Sequence, residues 1–169
     1  MDTKQAILSR RSVRKFLDKE VSKDDITALL EAGCNAPSAC NKKPLRFFVI
    51  TDKKMLSELR ESGRFTKMSA PLALVVAGDM NETLPSSFSE YWVQDAAAAT
   101  ENILIMATAL GLGSCWNGVH LQAKLISRIS ELLGMPEHIL PFSLIWIGYS
   151  DEFPEPHEGY DPERVKFIG

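Results

Sequence analysis

Arg10-Arg11-Ser12-Val13-Arg14 places three guanidinium groups and one hydroxyl within five positions, the densest chemical signal in the chain. It follows Thr3–Ser9, a short segment of helical character in which Ile7 and Leu8 are apolar. Arginine forks match phosphate oxygens in a bidentate way, and a serine hydroxyl can serve a further oxygen. The cluster therefore suits a small phosphate-bearing ligand. A short basic run can also be a solvated face, here one able to pair with Asp18 or Glu20. The chain as a whole is acidic, with a formal net charge of -3 and a pI near 5.6. Its basic residues are local, which fits one anionic ligand better than a nucleic acid, whose footprint needs a basic surface.

Outward from this stretch, three further segments follow in order. Ala36-Pro37-Ser38-Ala39-Cys40-Asn41-Lys42-Lys43-Pro44 is a loop bracketed by prolines, with Arg46-Phe47 after it. Gln94 to Asn102 opens a long helical pattern that runs into Gly111-Leu112-Gly113-Ser114-Cys115-Trp116-Asn117-Gly118. The last comprises Ile147-Gly148-Tyr149 and Tyr160 to Val165. In this order the four segments resemble the nitroreductase family of FMN-dependent oxidoreductases over nearly the whole chain. The match covers an opening RRSxR, an APSAxNxQP loop, the helix with its glycine-rich continuation, and the closing segment. Lys43 departs from the pattern, standing where glutamine is usual.

The resemblance implies an α+β fold: a central mixed or antiparallel sheet flanked by helices, in a homodimer with active sites at its interface. One FMN-binding domain would span 1–169. Arg10, Arg11 and Ser12 would contact the FMN phosphate, and Arg14 the ribityl chain or pyrimidine edge. Pro37, Ser38, Ala39 and Asn41 would come from the neighbouring subunit and lie over the isoalloxazine ring; an ordinary turn is the plainer reading of that loop. Trp116, Asn117 and Gly118 would pass beside flavin N5. Arg164, and after it Lys166, would close on the phosphate, although the basic cluster of many relatives reads His157-Glu158-Gly159 here. Arg64 and Lys67 are weaker candidates for a cation near the N1–C2 edge, with plain surface placement the alternative.

The implied chemistry passes hydride from NADH or NADPH to FMN N5, then to a nitroaromatic or quinone acceptor, by a ping-pong mechanism needing no catalytic side chain. Two alternatives are a flavin-binding redox carrier without turnover and a specialised branch such as reductive dehalogenation or flavin fragmentation. The stretch Met80 to Trp92 is short for the elaborate lid of such branches. Its Phe88, Tyr91 and Trp92 would either offer a flat edge to a stacked substrate or pack the start of the long helix.

Composition agrees with one domain: 169 residues, 45% hydrophobic. The longest clean apolar run, Ala70 to Ala77, falls far short of the roughly 20 residues of a membrane span. Met1-Asp2-Thr3-Lys4 lacks the apolar stretch of a signal peptide. Three cysteines without a Cys-x-x-Cys pair, and three histidines without ligand spacing, point away from disulfides and metal and toward the reducing cytoplasm.

Periodicity predicts helices over 23–34 (Ser22 as N-cap), 52–61, 89–110 and 123–133. Strands are predicted at 47–50, 72–77 and 144–147. Ala96 to Ala99 is a run of small side chains that would let another helix approach closely. Gly111 to Gly118 follows a helix, so it is no dinucleotide-binding turn; it reads as a helix C-cap leading into a tight loop. Cys115 has no base near it in sequence and reads as structural.

Overall fold

Leu72–Asp79 opens on six apolar residues without alternation, the pattern of a strand covered on both faces. In the computed structural model it forms β2, and all eight residues are buried. Residues 1–155 and 159–169 are described; the sequence readings at His157 and Glu158 lie outside them. On one side β2 pairs with β1 (Leu45–Ile50), on the other with β4 (Ile139–Gly148), whose far side takes β3 (Gly113–Gly118). The order is β1-β2-β4-β3 and every neighbouring pair is antiparallel.

Five helices clothe this sheet: α1 (Thr3–Ser9), α2 (Lys23–Cys34), α3 (Lys53–Arg60), α4 (Tyr91–Ala109) and α5 (Ala123–Leu132). Side chains alternate along a strand, so each strand feeds two cores. Leu72, Leu74, Val76, Ile145 and Ile147 pack under α2 and α4 with Leu29, Ala96 and Ile103. Ala73, Val75, Leu144 and Trp146 pack under α3 and α5 with Leu59, Leu125 and Ile129. Ser22 caps α2 as expected, its hydroxyl accepting from the Asp25 N–H. Asp2 and Asp52 cap α1 and α3 in the same way.

The small-residue run of α4 does what its composition suggests. Ala96 and Ala99 are fully buried, and α2 packs closely enough that Asn102 Nδ2 donates to the Ala32 carbonyl at 3.1 Å. Trp92 joins the core, 5.1 Å from the His120 ring centroid and 6.0 Å from that of Phe142, while Phe88 and Tyr91 remain exposed. No helix among the described residues is long and apolar enough to cross a membrane.

Two expectations need correction. The helix does end at a left-handed glycine, Gly111 with φ 76°, but Gly113–Gly118 is strand β3 and not a loop. Gly, Ser and Asn are poor strand formers, and β3 is an edge strand paired along its length with β4 and bridged at Ser114 by Ser12, so pairing overrides propensity. The last strand starts at Ile139 instead of Leu144. Pro141 conceals this beginning. It is tolerated because the register slips between Val76 and Ala77, leaving Phe142 without a partner on β2.

Candidate functional site

The arginine-rich segment is laid against β3. Val13 N–H donates to the Ser114 carbonyl at 2.9 Å, and Ser12 bridges Ser114 in parallel. Val13, 1% exposed, pins the segment, so Arg14 on its far side reaches over the end of β3. There a cleft of about 980 Å³ is bounded by Arg14, residues 62–68, residues 115–118 of β3 and residues 122–125 at the start of α5.

Local hydrogen bonds shape its walls. Thr66 Oγ1, buried, accepts from Gly63 N–H at 2.9 Å and fixes the 60–66 turn. Asn117 Nδ2 donates to the Phe65 carbonyl at 2.8 Å, tying β3 to that turn. Gln122 Nε2 donates to the Gly118 carbonyl, tying β3 to α5. Asn117 Oδ1 is buried and has no partner among the described residues.

Among the described residues four cations line the cleft, Arg14, Arg64, Lys67 and Lys124, and no carboxylate does. Glu61 comes within 4.0 Å of Lys67 from outside. In a chain of net charge -3 this is a concentrated positive field, suited to an anion with an aromatic or apolar body resting against Trp116 and Phe65. Lys124 and Gln122 escaped the sequence reading, since nothing near them marks the start of α5 as facing the same space as Arg14.

The other candidates fall in three places. Arg10 Nε lies 3.3 Å from Glu101 of α4, a partner other than the Asp18 or Glu20 considered from sequence. Arg11 donates to the carbonyls of Leu8, Arg10 and Glu155, and its Nη2 is buried and has no partner among the described residues. Such an orphaned donor, one step along the chain from the Ser12 hydroxyl, fits the oxygen of a phosphate. Arg164 is exposed and pairs locally with Asp161 at 3.0 Å, outside the cleft lining.

Pro37, Ser38, Ala39 and Asn41 sit at the entry to β1, beside the start of α4. Asp95 of α4 accepts the Ala39 N–H at 2.9 Å, and Ser38 Oγ accepts the Lys43 N–H at 2.9 Å. The 38–43 loop and Gly118 share one end of the sheet but flank opposite edges, β1 and β3. Three strand spacings of about 4.8 Å put roughly 14 Å between those edges. Within one chain the loop is not part of the cleft lining.

Cys115 is buried on the cleft floor, and burial pushes its thiol above the ordinary value despite the lowering influence of Arg14 and Arg10. The neutral thiol is a poor nucleophile, which agrees with a structural role. Limited iodoacetamide treatment of the native protein is therefore expected to label the exposed Cys34 and Cys40 and to spare Cys115, as read by peptide mass analysis. The same shift has a sign in stability. Above the ordinary thiol value of about 8.5 the unfolded chain ionises first, so the native state loses stability as pH rises toward the folded value. Cys115→Ala should flatten that slope in thermal melts between pH 8 and 10, and an unchanged slope would dismiss the burial argument.

A helix-clad antiparallel sheet with a cationic cleft at one edge suits a small anionic ligand. The sequence model described as the nitroreductase family matches residues 7–64 and 60–149. A protein of Methanothermobacter thermautotrophicus, provisionally named NADH dehydrogenase/NAD(P)H nitroreductase, is 38% identical over 168 residues, 98% of this chain and 86% of its own length. The crystal structure of a protein of the same provisional name from Bacteroides thetaiotaomicron superposes with a TM-score of 0.91 at 31% identity, covering 98% of this chain and 96% of that one. A provisionally assigned nitroreductase from Desulfovibrio desulfuricans, solved in complex with FMN, gives 0.84 at 28% identity over 100% and 98% of the two chains. The chain belongs to the nitroreductase family.

Proposed function

We propose that this protein is an FMN-dependent NAD(P)H oxidoreductase that works as a homodimer in the cytoplasm, with 1–169 as one flavin-binding domain. The observation that carries this is the cleft, which among the described residues has four cations, no carboxylate and the Trp116–Gly118 backbone, beside an arginine segment whose Arg11 Nη2 is buried and unpartnered among those residues. The crystal structure of the FMN complex from D. desulfuricans supports the choice of cofactor, as do the names NADPH-flavin oxidoreductase (Vibrio harveyi) and FMN reductase (NADPH) (Bacillus subtilis) for relatives.

When bound, FMN supplies two-electron chemistry, accepting hydride from a nicotinamide and passing electrons to a planar acceptor such as a nitroaromatic or quinone. The chain's part is to bind and orient. Arg10, Arg11 and Ser12 hold the phosphate. Arg14, Arg64 and Lys67 offer positive charge to the electron-rich edge of the ring. The backbone of Trp116 and Gly118 supplies amides: the Ser114 carbonyl faces away from β4 to take the Val13 N–H, and by the alternation of the ladder Trp116 and Gly118 face the same way while Asn117 turns toward Leu144 of β4. Cys115 lends no proton.

Separation of the 38–43 loop from the cleft within one chain supports a site shared between two copies, each lending its loop to the other. A dimer surface is at hand on α1 and α4. Ile7 and Leu8 of α1 are exposed, and Ala98 and Ile105 of α4 are only half-buried. Ala98→Arg is expected to yield a monomer that has lost tight FMN binding, read by sedimentation and by flavin fluorescence. A monomer that still holds FMN tightly would rule out the shared site.

The function itself is tested on the purified protein. A flavin absorption band that bleaches with NADH or NADPH, and parallel double-reciprocal lines with both a nitroaromatic and a quinone, are the expected results. Failure to bind added FMN would dismiss the reading. Bound flavin that neither nicotinamide reduces would leave a carrier instead of an enzyme.

A further inference from the structure

The loop that bears Ser38, Ala39 and Asn41 is held in a costly shape. Cys40, Asn41 and Lys43 have φ of 51°, 54° and 52°, left-handed values at three non-glycine positions. For L-residues this region costs about 1–2 kcal/mol each, least for asparagine. Such a shape persists only where the surroundings over-determine it. Inside the loop, Asn41 N–H bonds the Ser38 carbonyl at 2.9 Å, Lys42 N–H the Ala39 carbonyl at 3.1 Å, and Lys43 N–H the Ser38 hydroxyl at 2.9 Å. These bonds shape the loop but do not fix it to the body of the protein.

Among the described residues, one side chain from elsewhere bonds the loop backbone: Asp95, through Oδ1 to Ala39 N–H at 2.9 Å. Its carboxylate is 6% exposed, and no Lys or Arg pairs with it among the described ion pairs. A charge kept that far from water must be compensated by strong hydrogen bonding. A charge-assisted bond to a backbone amide supplies it. The other anchor is backbone only, Asp79 N–H to the Pro44 carbonyl at 2.7 Å, beyond the strained residues.

We propose that Asp95 is the positioning residue of the shared flavin site, fixing the strained 38–43 loop so that Ser38, Ala39 and Asn41 present a preset surface to the ring held by a second copy. The proposal rests on the proposed FMN function. It also gives α4 a double task. Six residues on, about 9 Å along the axis, the same helix carries Glu101, which holds Arg10 of the chain's own phosphate cluster. One rigid element thus sets a part of each of two sites.

Three variants of the full chain test this. Asp95→Ala removes the acceptor and Asp95→Asn keeps one. Ala39→Pro removes the donor from the loop side. Ser38 already has φ -133° and ψ 150°, the extended geometry a following proline requires, and Ala39 opens its short 3-10 turn, where proline is tolerated. Asp95→Ala and Ala39→Pro are each expected to weaken FMN binding at least 10-fold. Both should alter the visible circular dichroism of the flavin at saturation and speed tryptic cleavage after Lys42 in the FMN-free protein. Combined, they should cost no more than either alone, and Asp95→Asn should recover most of the loss.

A merely structural role would lower the melting temperature without touching the dichroism of the saturated protein. Wild-type protein that binds FMN, with an Asp95→Ala variant that matches it within twofold and resists trypsin equally, would overturn the proposal and leave the oxidoreductase reading intact. Wild-type protein that binds no FMN would instead overturn that reading and the positioning role with it.

Discussion

Arg14→Ala is expected to weaken FMN binding by about 1.5–3 kcal/mol, roughly 10- to 150-fold, the range for a hydrogen bond to a charged group. Of the three arginines in the opening segment, Arg14 alone lines the cleft. Arg10 is shared with Glu101 and Arg11 is largely spent on three backbone carbonyls, so their removal should cost less or act partly through folding. Arg14 has one internal tie, a 3.2 Å donation to the Ser12 carbonyl, and is otherwise available to a ligand. Lysine should restore only part of the affinity, because a point charge replaces a planar fork. Lys15→Ala is the control: its ammonium pairs with Glu152 at 2.7 Å and lies outside the cleft lining. Titration of the apoprotein, with thermal melts alongside, reads the result. Equal affinities for Arg14→Ala and Lys15→Ala would place the ligand elsewhere.

Part of the cleft was legible in the chain because its chemistry is local: Arg14, Arg64, Lys67 and Trp116 to Gly118 were candidates from sequence and line it, while Arg10, Arg11, the 37–41 loop and Arg164 do not. Three arginines and a serine in five residues suggest an anion site from sequence, although Arg10 turns to Glu101 and Arg11 to three carbonyls, and proline at both ends of 37–44 suggests a fixed loop. Long periodic elements were legible for the same reason. The 89–110 pattern emerged as Tyr91–Ala109, and the apolar run after Pro71 emerged as β2. What escaped the sequence depends on distant partners. Gly113-Ser114-Cys115-Trp116-Asn117-Gly118 becomes a strand only because β4 lies beside it, and Pro141 enters a strand only because the register slips there. Lys124 reaches the cleft through the turn of α5, and Asp95 gains its role from a loop 56 positions away. No window of neighbouring residues contains either fact.

Gly113→Val is expected to lower stability by about 3 kcal/mol or more and to abolish flavin binding with it. A Cβ at Gly113 would stand 2.7 Å from Val13 Cγ1 and 2.9 Å from Val13 Cβ, closer than carbon atoms approach, and Val13 is 1% exposed with no room to retreat. Overpacking of this kind costs about 1–3 kcal/mol for alanine, and the two further methyl groups of valine add to it. The damage must reach the site because Val13 is the pin of the arginine segment. Pushing it off β3 breaks its bond to the Ser114 carbonyl and swings Ser12 and Arg14 away from the cleft. A compensating pair separates this from general unfolding. Gly113→Ala with Val13→Ala returns space on one side as it is taken on the other, so the double variant should regain part of the stability and FMN affinity lost in Gly113→Ala alone. The coupling between the two, read from urea denaturation and flavin titration, should have the same sign in both measurements. Stability that recovers while FMN affinity stays at the level of Gly113→Ala would show that contact with β3 is not what aims Arg14.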